Sequence, residues 1–212
     1  MRGSWLALCG LVLLGLAVSY LLRSTGAMGR YVGDSPSAAR LLHDTRSPAT
    51  AAGAADLTVI VFTDYQCPAC RRADPGFRSA VARDGNLRVV YKDWPIFGVR
   101  SEEAARGALA AHRQGLYLPV HRALMRAPVV NEAALRRAVE GAGGDWRRLQ
   151  ADLARHAPAI ARDLAANGEE AFSLGLAGTP GYLVGPYLIE GALTEDEFRR
   201  AFAQARAGRA PG

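Results

Sequence analysis

Lysine is almost absent from this chain: Lys92 is the only one, so the formal net charge of +6 rests on arginine. The arginines come in scattered pairs, Arg71/Arg72, Arg136/Arg137, Arg147/Arg148 and Arg199/Arg200, with Asp and Glu between them. No basic block forms, which describes a solvated surface and argues against a nucleic-acid partner. Cysteine is scarce too, at 3 residues of 212. Cys9 lies in an apolar run, leaving Cys67 and Cys70 as the only thiols of the remaining chain. A pair this close shuts a loop too short to restrain much unfolded-chain entropy, so chemistry explains it better than stapling. Structural zinc wants four Cys or His ligands. Here there is no second C-x-x-C, and His43, His112, His121 and His156 are dispersed. Met28 and Met125 lie far from the cysteine pair, so no thioether-rich site for a soft metal is offered. The expectation is that no metal is bound, and no internal repeat is visible.

What is present supports a folded domain. Half the residues are apolar, enough for one core of ordinary size with an appendage. From Trp5 to Leu22 no residue is charged, a length that just spans a bilayer core. Residues 1–23 therefore read as a transmembrane anchor or a signal peptide. For cleavage, Arg2, the Leu11–Ala17 stretch and either Ala17-Val18-Ser19 or Thr25-Gly26-Ala27 would serve. Arg23, Arg30 and Arg40 follow the segment and only Arg2 precedes it, which by the positive-inside rule favours the opposite orientation. The dithiol chemistry described below decides for export: a periplasmic domain anchored in the inner membrane, with secretion after cleavage as the alternative. Cys9 comes too early for a usual lipoprotein signal and reads as a membrane-facing residue. Residues 24–55, rich in Gly, Ser, Ala, Pro and Thr, read as a tether with a short helix around Ala38–His43.

The folded domain is expected over 56–208. Leu57–Phe62 is a short apolar run rich in β-branched residues, as in a central strand covered on both faces. Asp64-Tyr65-Gln66 ends it. Pro68 then opens a helix at a position where a missing amide hydrogen costs nothing, and Pro75-Gly76 should interrupt or kink that helix. Leu87–Tyr91 is a second strand, and the crossover suits parallel pairing. Helices follow over about 100–175. Ser101 caps one that Gly115 closes, and Leu118–Arg126 is another with Pro119 near its start. Asn131 and Asp145 cap two more, the second reaching His156, and a last one runs from Pro158 towards Gly175 with Asn167-Gly168 as a weak point. Tyr182–Val184, a Gly185-Pro186 turn and Tyr187–Ile189 read as a hairpin. Thr194-Glu195-Asp196-Glu197 is a capping box opening the final helix.

The chemistry concentrates at Cys67-Pro68-Ala69-Cys70. A cysteine at a helix N-terminus meets unpaired amides and the positive end of the helix dipole, which stabilise a thiolate. Cys67 is thus the attacking sulfur. Cys70, one turn later, is placed to resolve a mixed disulfide and stays protonated until needed. Thr179-Pro180, within Gly178-Thr179-Pro180-Gly181 before the hairpin, can form a cis-proline loop against the cysteines whose backbone pairs with an extended peptide.

Four segments in order, Phe62–Cys70, Tyr91-Lys92-Asp93-Trp94-Pro95-Ile96, Gly178-Thr179-Pro180 and Leu188-Ile189-Glu190-Gly191-Ala192, make the chain from about Leu57 to Gly208 resemble the DsbA-like family of bacterial thioredoxin-fold proteins. The resemblance implies an α/β thioredoxin fold with an inserted helical domain, here preceded by an N-terminal hydrophobic helix. It implies disulfide exchange with exported polypeptides through the redox-active disulfide Cys67–Cys70 and no other cofactor, with Thr179 and Pro180 contacting the substrate and a DsbB-like or DsbD-like membrane partner resetting the pair. Two departures stand out. Many relatives carry an acid where this chain has Val61, so a proton acceptor near Cys70 must come from elsewhere, with Asp64 or Lys92 as candidates. The strongest oxidants of the family have histidine where this chain has Ala69, whose methyl group donates no hydrogen bond and should leave the protein less oxidising. Oxidase, reductase or isomerase directions stay open, and a copper chaperone is the alternative from another class.

Overall fold

The computed structural model describes residues 28–50 and 55–208. The elements are β1 (Arg30–Tyr31), α1 (Pro36–Leu42), β2 (Leu57–Thr63), α2 (Pro68–Asp84), β3 (Leu87–Asp93), α3 (Val99–His112), α4 (Tyr117–Arg126), α5 (Glu132–Gly141), α6 (Trp146–Leu174), β4 (Gly181–Val184), β5 (Tyr187–Glu190) and α7 (Glu195–Arg206). The sheet runs β1-β5-β4-β2-β3. Only β2 and β3 pair in parallel, joined by α2, and the remaining neighbours are antiparallel. Helices α3 to α6 form the insertion between β3 and β4.

Strand parity sorts the core into two faces. Val59 and Val61 point into a cluster with Cys67, Cys70, Phe77, Tyr91, Tyr182, Phe198 and Phe202. Ile60 and Phe62 point the other way, against Val32, Leu41, Val90, Trp94, Leu174 and Leu183. Because β2 is internal and buried on both faces, the turn that follows it is held from several sides.

Residues 28–50 are not a tether, although the short helix expected around Ala38–His43 is there as α1. Arg30 and Tyr31 pair with Leu188 and Tyr187 of β5, Ser35 caps α1 by accepting from the Ala38 amide, and Pro48 to Thr50 run beside β3, with Ala49 bridged to Val90. Val32, Ala38 and Leu41 are buried in the second face. Two paired residues and three isolated apolar ones carry no periodicity, which hid this layer from sequence reasoning. The hydrophobic helix expected over 1–23 lies outside the described residues. Among the described residues no helix is long and apolar enough to cross a membrane.

Two expected breaks are absent. Helix α2 continues through Pro75 to a left-handed cap at Gly85, φ 73°. Gly76 serves packing there, since a Cβ would come within 3.0 Å of the Glu195 amide nitrogen at the start of α7. The segments expected on either side of Pro158 form one helix of 29 residues. Pro158 and Ala154 are both exposed, so the carbonyl that loses its donor meets water. Asn131, Asp145 and Thr194 cap as expected. Ser101 does not: α3 starts at Val99 after Gly98, and the Ser101 hydroxyl is used elsewhere.

Candidate active site

The turn leaving β2 is organised by Asp64, which is 1% exposed. Its Oδ1 accepts from the Gln66 amide at 2.6 Å and the Ser101 hydroxyl at 2.7 Å. Its Oδ2 accepts from the amides of Ile96 at 2.7 Å and Phe97 at 3.1 Å. Four donors on one carboxylate tie the cysteine-bearing turn to the β3–α3 loop and the start of the insertion. The Cys67 amide donates to the Asp64 carbonyl at 3.3 Å. Asp64 thus builds the turn instead of serving as a free proton acceptor.

Lys92 is placed away from the site. Its register partner is Phe62, which faces the second cluster, so Lys92 points to the sheet face opposite the cysteines. There its Nζ lies 2.5 Å from Asp44 Oδ2 and 2.7 Å from Glu170 Oε2. Burial alone would raise the Asp44 carboxyl, but hydrogen bonds from Lys92 and Ser47 overcome it and hold the group well below the usual carboxylate range. Lys92 locks residues 28–50 and α6 onto the sheet.

Cys67 is the N-cap of α2, its Sγ accepting from the Cys70 amide at 3.3 Å. Pro68 occupies the first helical position and is exposed, and Ala69 is half-buried against the core. Cys67 also lies 3.3 Å from the carbonyl oxygen of Thr179, and the Thr179–Pro180 peptide is cis. When protonated, the Cys67 thiol donates to that carbonyl. The Thr179 hydroxyl, buried and without another partner among the described residues, is free to serve the anion. The Cys67 pKa is lowered to about 6, first by the hydrogen bond from the Cys70 thiol, against an opposing effect of burial, then by Thr179 and the amides of Cys70 and Ala69. Cys70 moves the other way: its bond to Cys67 and its burial hold it protonated, far above an ordinary thiol. The pair splits into an anion and its proton donor, as at a helix N-terminus that favours negative charge. The two residues are 2% and 3% exposed. Access to Cys67 therefore runs past exposed Pro68 and the half-buried Gln66, Ala69 and Thr179.

The insertion is fastened to this corner. Gln66 Nε2 donates to the Val130 carbonyl at 3.3 Å. The Arg71 guanidinium donates to the carbonyls of Tyr65 at 3.2 Å, Leu124 at 3.3 Å and Ala127. Arg71 thus satisfies the C-terminal end of α4 while holding it to α2. Ile96 and Phe97, on the loop whose amides bind Asp64, are exposed, as are Val99 and Val129. A Cβ on Gly178 would touch Ile96 at 3.9 Å, which places the β3–α3 loop beside the cis-proline turn.

Sequence reasoning missed a set of buried polar groups on the cysteine face: Tyr65, Asp74, Asp93, Tyr117 and His121. The signal was available in part. Asp93 has the same strand parity as Tyr91 and the opposite one to Lys92, and Asp74 lies one helical turn beyond Cys70. Among the described residues no cluster of His, Cys, Asp and Glu could hold a metal ion.

Comparison with known proteins agrees with this geometry. A family model described as DSBA-like thioredoxin domain matches residues 58–203. A thioredoxin-like oxidoreductase from Silicibacter pomeroyi superposes with a TM-score of 0.73 and 38% identity, covering 79% of this chain and 96% of that one. The catalytic domain of Proteus mirabilis ScsC gives 0.72 at 25% identity, with 84% and 99% covered. A periplasmic thioredoxin-like protein from Salmonella enterica serovar Typhimurium gives 0.68 at 28%, with 82% and 97% covered. Among curated proteins, an Na(+)/H(+) antiporter NhaA from Salinispora tropica is 31% identical over 170 residues, 74% of this chain but 26% of its own length. This chain thus spans about a quarter of the curated relatives it matches. Sheet order, insertion, paired cysteines and the family match over 58–203 lead to one conclusion: the chain belongs to the DSBA-like thioredoxin domain family, with the fold of a DsbA-like oxidoreductase.

Proposed function

We propose that the chain is a protein thiol-disulfide oxidoreductase exchanging disulfides with exported polypeptides through Cys67-Pro68-Ala69-Cys70. The observation that carries this reading is two buried sulfurs one helical turn apart, with Cys67 Sγ at the helix N-cap accepting from the Cys70 amide at 3.3 Å and lying 3.3 Å from the Thr179 carbonyl, an arrangement that draws Cys67 down and holds Cys70 protonated. A thiolate at neutral pH attacks a client disulfide, a mixed disulfide forms at Cys67, and Cys70 displaces the client, leaving Cys67–Cys70 oxidised and the client reduced by two electrons. The same steps run backwards when the pair starts oxidised. The Thr179 carbonyl 3.3 Å from Cys67 supports docking of the client backbone at Thr179-Pro180, and exposed Ile96, Phe97, Val99 and Val129 suit an unfolded, apolar-rich chain. The setting is extracytoplasmic, with a DsbB-like or DsbD-like membrane protein resetting the pair.

Direction follows from potential. Ala69 offers Cys67 no side-chain hydrogen bond, so a potential below that of the strongest oxidants is expected. The test is a trap. Cys70→Ser leaves Cys67 able to attack and unable to be displaced, so client proteins should accumulate as covalent adducts on non-reducing gels and be identified by mass spectrometry. No adducts with Cys70→Ser, and no insulin reduction or thiol oxidation by the unaltered protein, would refute the reading. The antiporter activity in the curated relatives' names is not proposed for this chain.

A further inference from the structure

Between α3, α5 and α6 the insertion leaves a cavity of about 260 Å³, and every residue that lines it belongs to the insertion. Its walls are apolar: Ala104 of α3, Val130 before α5, Leu135 of α5, and Trp146 and Leu153 of α6. Val130 and Leu135 are buried, whereas Trp146 and Leu153 are only partly so, which leaves apolar surface for an occupant to cover. At the rim Arg100 and Arg106 stand with Glu103 and Glu132, so the formal charges cancel. A charged partner gains nothing there by its sign, while an apolar one gains by the area it removes from water. A dry apolar cavity of about 150 Å³ accommodates benzene. This one has room for an aromatic side chain and is too small for a helix, which is about 10 Å across.

Two of the walls start at the turn that carries Cys67. Ser101, which follows the lining residue Arg100, donates its hydroxyl to Asp64 Oδ1 at 2.7 Å. The Val130 carbonyl accepts from Gln66 Nε2 at 3.3 Å. Gln66 adjoins Cys67, one Cα step of about 3.8 Å, which puts the Val130 wall on the order of 10 Å from Cys67. An extended polypeptide advances about 3.3 Å per residue, so about three or four residues of client reach from its cysteine to the cavity. Exposed aliphatic groups flank both walls: Val99 adjoins Arg100, and Val129 adjoins Val130. Apolar side chains left in water beside a cavity mark a surface that a partner covers.

We propose that this cavity is a side-chain subsite of the exchange reaction, holding an aromatic residue of the client about three or four positions from the client cysteine, on one side of it. The subsite rests on the exchange reading above and adds to it a preference among clients. Trp146 in the wall offers the client ring an aromatic neighbour. The guanidinium groups of Arg100 and Arg106 at the rim suit the face of such a ring. Arg106 is steadied by Glu102, whose Oε1 accepts from Nε at 3.0 Å and from Nη2 at 2.8 Å. A client anchored in this way presents its disulfide to Cys67 with part of its freedom already lost, so attack is faster although neither sulfur is touched. No bond forms or breaks in the cavity.

The experiment uses the full chain, reduced, with short alanine-serine peptides whose single cysteine is joined to glutathione by a disulfide. One phenylalanine is moved position by position along both sides of the cysteine. The second-order rate of peptide-thiol release is divided by that of the peptide without phenylalanine. The ratio should rise roughly 10-fold at the position that reaches the cavity, on one side of the cysteine only. Trp146→Ala removes the aromatic wall, and Gln150→Phe fills the cavity from an exposed lining position. Each should bring the ratio back to near one. The ratio is taken within each protein, so a loss of stability that slows both peptides alike cancels. A ratio near one at every position in the unaltered chain overturns the subsite, as would follow if a second copy of the chain covered the cavity. A raised ratio that survives both substitutions overturns it too. In either case the peptides are still reduced and the exchange reading stands. A reduced chain that leaves every peptide disulfide intact, and glutathione disulfide with them, sinks both.

Discussion

At the scale of single residues, the molecule turns on the difference between two chemically identical side chains. Cys67 caps a helix and receives hydrogen bonds, and Cys70 gives one, so the negative charge settles on the first sulfur. A depressed thiol keeps its anion as pH falls until its own pKa is reached. Alkylation of Cys67 by iodoacetamide should therefore be near its plateau at pH 7.5 and drop through a midpoint near 6, where an ordinary thiol with a pKa of about 8.5 is already unreactive. Thiolate absorbance on acid titration checks this, and a midpoint above 8 would contradict it. The pair and the Thr179-Pro180 turn were legible because each is a local pattern with its own chemistry. The roles of Asp64 and Lys92 were not. Adjacent strand residues face opposite ways, so Lys92 belongs to one face and Asp93 to the other, and only the assembled sheet shows which face holds the cysteines.

Among the elements, starts were easier to read than joins. Asn131, Asp145 and Thr194 cap their helices because a short polar side chain before an apolar repeat has few other uses. Ser101 satisfied the same rule and failed it, since Asp64 competes for its hydroxyl. Pro158 marked a break that tertiary packing overrides: Leu149, Ile160, Leu164 and Leu174 on α6 are all buried, which holds both halves in line. The proline still costs a backbone hydrogen bond on an exposed face. Pro158→Ala is expected to stabilise the protein by about 1–3 kcal/mol, read as a higher urea midpoint with unchanged slope. A destabilised variant would mean the helix needs the local bend.

For the whole molecule, the main surprise is that residues 28–50 complete the fold. They add an edge strand, cover the second face of the sheet and supply Asp44 to Lys92. A buried ammonium stripped of one of its two carboxylates is costly, so Asp44→Ala should destabilise the domain by about 3 kcal/mol, measured by urea unfolding. A loss under 1 kcal/mol would show that Glu170 alone suffices. Sequence reasoning found the sheet, the insertion and the site but not this layer, because its contacts are long-range and its composition resembles a linker.

The arrangement at Lys92 has one more outcome. The only lysine of the chain has a side chain 3% exposed and clamped between two acids. No other lysine side chain in these 212 residues offers an amine to solvent. Acylating reagents that decorate most proteins all over would find a single latent target, one uncovered only when the N-terminal layer peels from the sheet.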